Sequence, residues 1–225
     1  MKRLGDDLPA IIEAARAAHA QLSWECETCR SPVEAGTAFC GACEQARCNR
    51  RLAAEREAAQ RAVPEEWTWA HFDAPELAQR CGHAAVAQAR AVLDAWWVVL
   101  TGASATGKTA LGVAMQRARA AATGRAGAFI DCREVSRAAA LHRLGADEPR
   151  IIATARYAAD VLLDELGAGT LVDPIEGIIA RRHADHRPTI ITTPYDADDL
   201  ARRYGDGIAR RVYERACVIR LGGPR

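Results

Sequence analysis

Residues 102–109 read Gly-Ala-Ser-Ala-Thr-Gly-Lys-Thr, directly after the apolar run Ala95–Leu100 and directly before an alanine-rich stretch without helix breakers. A strand that turns through two glycines into a helix N-terminus leaves successive backbone N–H groups pointing into one hollow. The first turn of the helix adds its partial positive charge, so the hollow attracts anions. Gly102, Ala103, Ser104, Ala105, Thr106, Gly107, Lys108 and Thr109 are therefore candidate phosphate-binding residues. Apart from Lys2, Lys108 is the only lysine in a chain whose other strong cations are arginines. A compact ammonium on a flexible stem follows β- and γ-phosphates in a way that a planar guanidinium does not, and the Thr109 hydroxyl is the expected Mg²⁺ ligand.

Downstream, the run Val161-Leu162-Leu163-Asp164-Glu165 is an apolar strand that ends in two carboxylates. Ligands of parallel sheets collect at the carboxyl ends of strands, which places these acids beside the phosphate loop. Asp164 is the candidate holder of Mg²⁺, and Glu165 the candidate base that polarises a water for attack on the γ-phosphate. Short β-branched runs at Trp96–Leu100, Ala128–Asp131, Val161–Asp164, Thr189–Thr193 and Cys217–Leu221 alternate with helical segments at Lys108–Ala122, Glu134–Leu144, Pro174–Ala184, Asp196–Tyr204 and Ile208–Glu214. This alternation predicts an α/β fold, a parallel sheet with helices on both faces. The chemistry implied is Mg²⁺-dependent ATP hydrolysis.

One strand lies between the loop strand and the Asp-Glu strand in the sequence, the order of the additional-strand class of P-loop proteins. Gly102–Thr109, the segment Leu163-Asp164-Glu165-Leu166-Gly167, the run Arg187-Pro188-Thr189-Ile190-Ile191-Thr192-Thr193, Tyr204-Gly205 and Ile208–Glu214 together resemble the DnaC/DnaI and IstB branch of AAA+ ATPases. The resemblance covers roughly Trp67 to Arg220. It implies a five-stranded sheet in the order 5-1-4-3-2, and helicase loading or assistance of transposition as the activity. Pro194 falls where the family carries the sensor-1 polar side chain that reads the γ-phosphate. Proline has no side-chain donor and no N–H, so Thr193 is the stand-in. Arg211 matches the family's arginine finger, which acts on a neighbouring subunit's nucleotide and implies an ATP-dependent homo-oligomer; Arg210 beside it competes for the role. The sequence ends at Gly222-Gly223-Pro224-Arg225, immediately after the last strand, so no C-terminal lid domain and no sensor-2 arginine are expected.

Cys26, Cys29, Cys40 and Cys43 form C-x2-C-x10-C-x2-C. Two such knuckles supply four thiolates for a tetrahedral Zn²⁺ site, with turns at Gly36 and Gly41. Cys48 is an alternative to Cys43. A segment this small gains from metal the stability that its own core cannot give, and a four-thiolate site has no open position for catalysis. Cys81, Cys132 and Cys217 stand alone among apolar residues and are expected to be inert. A helix at residues 8–22 precedes the cysteines, and a breaker-free helical linker, Glu44–Ala62, leads to Val63-Pro64. The expected domains are therefore 1–63, a helix plus zinc module and linker, and 64–225, the ATPase. The DnaI-type loaders resemble this layout, which favours a loader of a hexameric replicative helicase, engaged through residues 1–63.

The formal net charge of +1 is unevenly spread: arginines outnumber acids from Leu200 onward. Arg202, Arg203, Arg210, Arg211 and Arg215 could follow the phosphates of single-stranded DNA, with Tyr195 and Tyr204 as the nearby aromatic side chains. No run is apolar enough to span a bilayer, and acidic residues follow Met-Lys-Arg where a signal peptide would need an apolar stretch, so a cytoplasmic location is expected. The rival assignments are an IstB-like transposition helper, a small-molecule P-loop kinase, and a nucleotide-dependent adaptor with little hydrolysis.

Overall fold

A computed structural model describes residues 25–34, 37–47, 49–50, 63–143, 145–169 and 171–222. The chain divides into two compact units, Met1–Ala53 and Ala54–Arg225. The helix expected at residues 8–22, Gly36, Cys48 and residues 51–62 of the expected linker lie outside the described residues. Among the described residues, no helix is long and apolar enough to cross a membrane.

In the first unit, Cys26 N–H donates to Ser31 O at 2.8 Å and Arg30 N–H to Cys26 O at 2.9 Å, closing a tight turn on which Glu25 and Pro32 form a single antiparallel bridge. Glu27 N–H reaches Ala38 O, tying this turn to the second knuckle, and residues 41–47 are helical.

Among the described residues of the second unit, the first elements are a 3-10 turn, Glu65–Trp67, and two helices, α1 (Pro75–Cys81) and α2 (His83–Ala91). Then β1 (Trp97–Gly102), α3 (Lys108–Thr123), β2 (Gly127–Asp131), α4 (Cys132–Ala140), α5 (Arg150–Tyr157), β3 (Asp160–Asp164), α6 (Asp173–Ala184), β4 (Thr189–Thr193), α7 (Ala197–Tyr204), α8 (Asp206–Tyr213) and β5 (Cys217–Leu221) follow. The strands form one parallel sheet in the order β2-β3-β4-β1-β5, the expected 5-1-4-3-2 read from the other edge.

Successive residues of a strand face opposite sides. Val98, Leu100, Leu162, Ile190 and Ile219 therefore pack on α1, α2 and α3, whereas Trp97, Val99, Val161, Leu163 and Ile191 pack on α4 to α8. With both faces covered, β1, β3 and β4 are buried along their length, whereas the edge strand β5 alternates, burying Ile219 and Leu221 and exposing Val218 and Arg220. Each fully buried apolar side chain contributes about 1.5–3 kcal/mol to one of the two cores.

Four helices depart most from expectation. α4 starts two residues earlier than its predicted Glu134, because the Asp131 carboxylate accepts from Arg133 N–H at 2.7 Å and caps it, and it stops at Ala140 instead of Leu144. α5 was not expected; it begins directly behind Pro149, which sets the extended entry that a helix start tolerates. The α1 and α2 pair precedes the region where strand patterning made the sequence readable, and Pro75 at its first position marks the start of α1.

Arg182 of α6 is fully buried. Its guanidinium donates to the carbonyls of Ala155, Ala158 and Pro188 and to Thr189 Oγ1, at 2.6–3.0 Å. It thereby satisfies the last carbonyls of α5 and ties them to the start of β4. Burial pulls its pKa down to about 10, still charged at neutral pH. Arg182→Ala should lower the urea unfolding free energy by about 3 kcal/mol or more, because several buried acceptors lose their donor at once. Arg202→Ala, on the exposed side of α7, should change it by less than about 0.5 kcal/mol.

Candidate nucleotide site and candidate metal cluster

The loop between β1 and α3 takes its shape from two left-handed residues, Ala105 at φ +63° and Gly107 at φ +88°. Alternation of this kind turns neighbouring N–H groups toward a common point. A Cβ on Gly107 would come within 2.6 Å of Cys81 Sγ, so only glycine fits over α1. The Cys81 thiol donates to Gly107 O at 3.3 Å, and burial pushes its pKa up to about 11, which leaves it an inert prop. Thr106 Oγ1 closes the loop on Ala103 O at 2.9 Å. Lys108 Nζ spans the hollow to the carbonyls of Gly102 (2.9 Å) and Ala103 (2.6 Å). Burial draws the Lys108 pKa down, against the opposing pull of Asp164 and Glu165.

Asp164 ends β3 and is buried. Its Oδ1 accepts from Thr109 Oγ1 at 2.9 Å and from Thr192 Oγ1 at 2.7 Å. One carboxylate oxygen thus joins the first turn of α3 to the end of β4. Desolvation raises the Asp164 pKa to about 6, more than the two hydroxyl donors lower it. Glu165, the next residue, sits at φ +54°, a conformation that costs a non-glycine residue energy and is held here by its N–H donating to Thr192 Oγ1 at 2.9 Å. The turn carries the Glu165 side chain out of the strand direction, where Oε2 pairs with Arg133 at 3.2 Å. Arg133 also forks onto Asp131 at 3.1–3.3 Å.

A cavity of about 390 Å³ is lined by Ser104, Ala105, Gly107, Lys108, Thr109, Glu165 and Thr192, joined by Trp67, Ala168, Pro194 and Tyr195. The volume lies within the range of small-ligand sites. Lys108 and Thr109 at the loop end and Glu165 at the strand end line one space, and buried Asp164 stands behind it, hydrogen-bonded to the lining residues Thr109 and Thr192, an arrangement that suits a Mg²⁺-bound polyphosphate. Thr193 is not brought there: it is fully buried, and its hydroxyl donates to Leu166 O at 2.9 Å. Strand alternation turns Thr192 and Pro194 to the cavity and Thr193 away from it. Arg211, on α8, is not among the lining residues; it donates to Gly207 O at 3.1 Å, while Arg210 pairs with Glu214 at 3.0 Å. Trp67, Thr192, Tyr195 and Arg133 were not anticipated as part of the site. Only Thr192, two residues before Pro194 on a strand, had a signal that alternation could have exposed.

In the first unit, the sulfurs of Cys26, Cys29, Cys40 and Cys43 lie within 4.8 Å of one another. A tetrahedron with Zn–S bonds of about 2.3 Å has S···S edges of roughly 3.8 Å, so the four fit a zinc ion. Backbone N–H groups of Cys29 and then Cys40 lower the Cys26 pKa to about 6, and Ser31 lowers that of Cys29. Hydrogen bonds from Cys29 and the other thiols raise Cys43 to about 12. The cluster thus favours thiolates at one knuckle but cannot ionise all four sulfurs without a cation. Cys132, fully buried, has its pKa raised by desolvation, in keeping with an inert core thiol.

The raised Asp164 pKa gives a pH test. The folded chain holds this proton up to about pH 6, whereas the unfolded chain releases it near its ordinary 3.8, so stability from this group falls as pH rises through that window. At pH 8, without Mg²⁺ or nucleotide, Asp164→Asn should be more stable than the wild type by up to about 3 kcal/mol, and the advantage should vanish near pH 4. Denaturant titrations at the two pH values measure it.

No family model matches the sequence, and no curated protein matches it significantly. Solved structures do. A crystal structure of the DnaC helicase loader superimposes on 70% of this chain and 99% of its own, at 25% identity and a TM-score of 0.62. A DnaI crystal structure covers 71% and 95%, at 19% identity and 0.61. The replication initiator DnaA bound to AMPPCP and single-stranded DNA matches 72% of this chain with 51% of its own, at 13% identity and 0.57. The second unit therefore has the AAA+ fold, with the DnaC and DnaI helicase loaders as structural neighbours, and the chain carries in addition a four-cysteine cluster that fits a zinc module.

Proposed function

We propose that the protein is an ATP-dependent loader of a hexameric replicative helicase. The observation that carries this is the match of this chain to 99% of the DnaC loader structure, together with the phosphate loop and the Asp164-Glu165 strand end. In this proposal the loop amides and Lys108 bind the β- and γ-phosphates. Thr109 and Asp164 hold Mg²⁺, which neutralises phosphate charge, and Glu165 takes a proton from the attacking water. The 3.2 Å pair with Arg133 holds Oε2 of Glu165 and leaves Oε1 as the proton acceptor. Arg211, away from its own cavity, is offered to a neighbouring copy, which makes assembly ATP-dependent. Arginines of α7 and α8 contact single-stranded DNA, a role supported by the DnaA neighbour that holds such a strand. Residues 1–63, stabilised by one Zn²⁺ on the four cysteines, capture the helicase, and residues 64–225 carry the nucleotide chemistry. Separating the two contacts lets nucleotide state alter one without breaking the other.

Full-length protein should contain one zinc per chain by elemental analysis. It should capture the replicative helicase hexamer of its own source in a pull-down with ATP, and elute as a larger species with ATP than with ADP. Cys26→Ser with Cys29→Ser should lose zinc and capture together, while retaining nucleotide binding. Capture of a transposase from the same source in place of the helicase would contradict the loader and support a transposition helper.

A further inference from the structure

The end of β4 offers the cavity no uncommitted side-chain donor. Pro194 lines the cavity without a donor, and the Thr193 hydroxyl is committed to Leu166 O on the far side. Thr192 is turned to the cavity, but its hydroxyl donates to Asp164 and accepts from Glu165 N–H, so both functions are occupied. Tyr195 is the next residue. It lines the same cavity as Lys108, Thr109 and Glu165, and its hydroxyl has no hydrogen-bond partner among the described residues.

The rest of Tyr195 is held firmly. Its carbonyl accepts from Tyr213 Oη at 2.5 Å and from Thr101 Oγ1 at 3.3 Å, and its N–H donates to Thr193 Oγ1 at 3.2 Å. The ring lies against Gly167, at φ +105°, where a Cβ would come within 2.2 Å of ring carbon Cε2. A glycine in a left-handed conformation is thus required for the ring to occupy this place. A phenol on an anchored ring that lines the same cavity as Lys108 and Thr109 costs little entropy to use as a donor.

Deepening the nucleotide reading and resting on it, we propose that the Tyr195 hydroxyl donates to the terminal phosphate of the bound triphosphate and thereby distinguishes ATP from ADP. Pro194 leaves this role to its neighbour, and the backbone pins from Thr101 and Tyr213 keep the ring in position. Because Tyr213 stands on α8 with Arg210 and Arg211, the same pin links the phosphate reader to the arginine helix.

The test is Tyr195→Phe, which keeps the ring on Gly167 and removes one oxygen. Affinities for ATP and ADP are measured by displacement of a fluorescent nucleotide, together with kcat. A hydrogen bond to a charged oxygen is worth about tenfold or more, so the preference for ATP over ADP should fall by that factor, with ADP affinity unchanged and kcat lowered. An unchanged ATP-to-ADP ratio overturns the proposal, whether or not kcat falls. Lys108→Ala, measured in parallel, separates this from failure of the site itself: if it binds ATP as well as the wild type, the nucleotide reading fails before Tyr195 is at issue. Gly167→Ala is the second variant; it should lose the same discrimination by displacing the ring, and retention of full discrimination in a folded Gly167→Ala also counts against the proposal.

Discussion

The hydrogen bonds that converge on one oxygen of Asp164 organise the second unit. Thr109 brings the first turn of α3, Thr192 brings the end of β4, and Asp164 itself ends β3. Thr192 then accepts from Glu165 N–H, which holds that residue in its left-handed turn. The loop, the strand ends and the candidate base are thus set relative to one another by three side chains. The cost is a buried carboxylate whose pKa is raised to about 6, an arrangement poised to favour a divalent cation, which would offset the desolvation.

Much of this was legible in the sequence. The loop, the Asp-Glu strand end and all five strands could be read because each couples an apolar run to a chemically distinctive end. The strand order came from resemblance and matches the structure. Less legible was what depends on which way a side chain turns. Thr193 looked like the polar substitute beside Pro194, yet alternation buries it against Leu166 and presents Thr192 instead. Arg133 and Trp67 come from segments with no motif, and only tertiary packing brings them near Glu165 and the loop. The helices before β1 and the helix α5 escaped because they are short and their apolar residues are shared with neighbouring elements.

The two units rest on different physics. The second is held by two apolar layers around a sheet and by buried arginine forks, of which Arg182 and Arg119 are the clearest; Arg119 pairs with buried Asp160 at 3.3 Å and donates to Leu93 O at 2.9 Å. Among its described residues, the four-cysteine segment buries Cys26 and little other apolar surface, and its turns converge on sulfur. Such a segment gains definition from a metal ion, which gives a rigid surface without chemistry of its own.

The hollow at Gly102–Thr109 is proposed to bind a Mg²⁺-nucleoside triphosphate that Glu165 helps to hydrolyse. The most direct measurement is ATP binding and phosphate release by the full-length chain beside its Lys108→Ala and Glu165→Gln variants. Binding and turnover are expected in the wild type, binding without turnover in Glu165→Gln, and neither in Lys108→Ala. Turnover that survives in Glu165→Gln, or binding that survives in Lys108→Ala, would contradict the proposal.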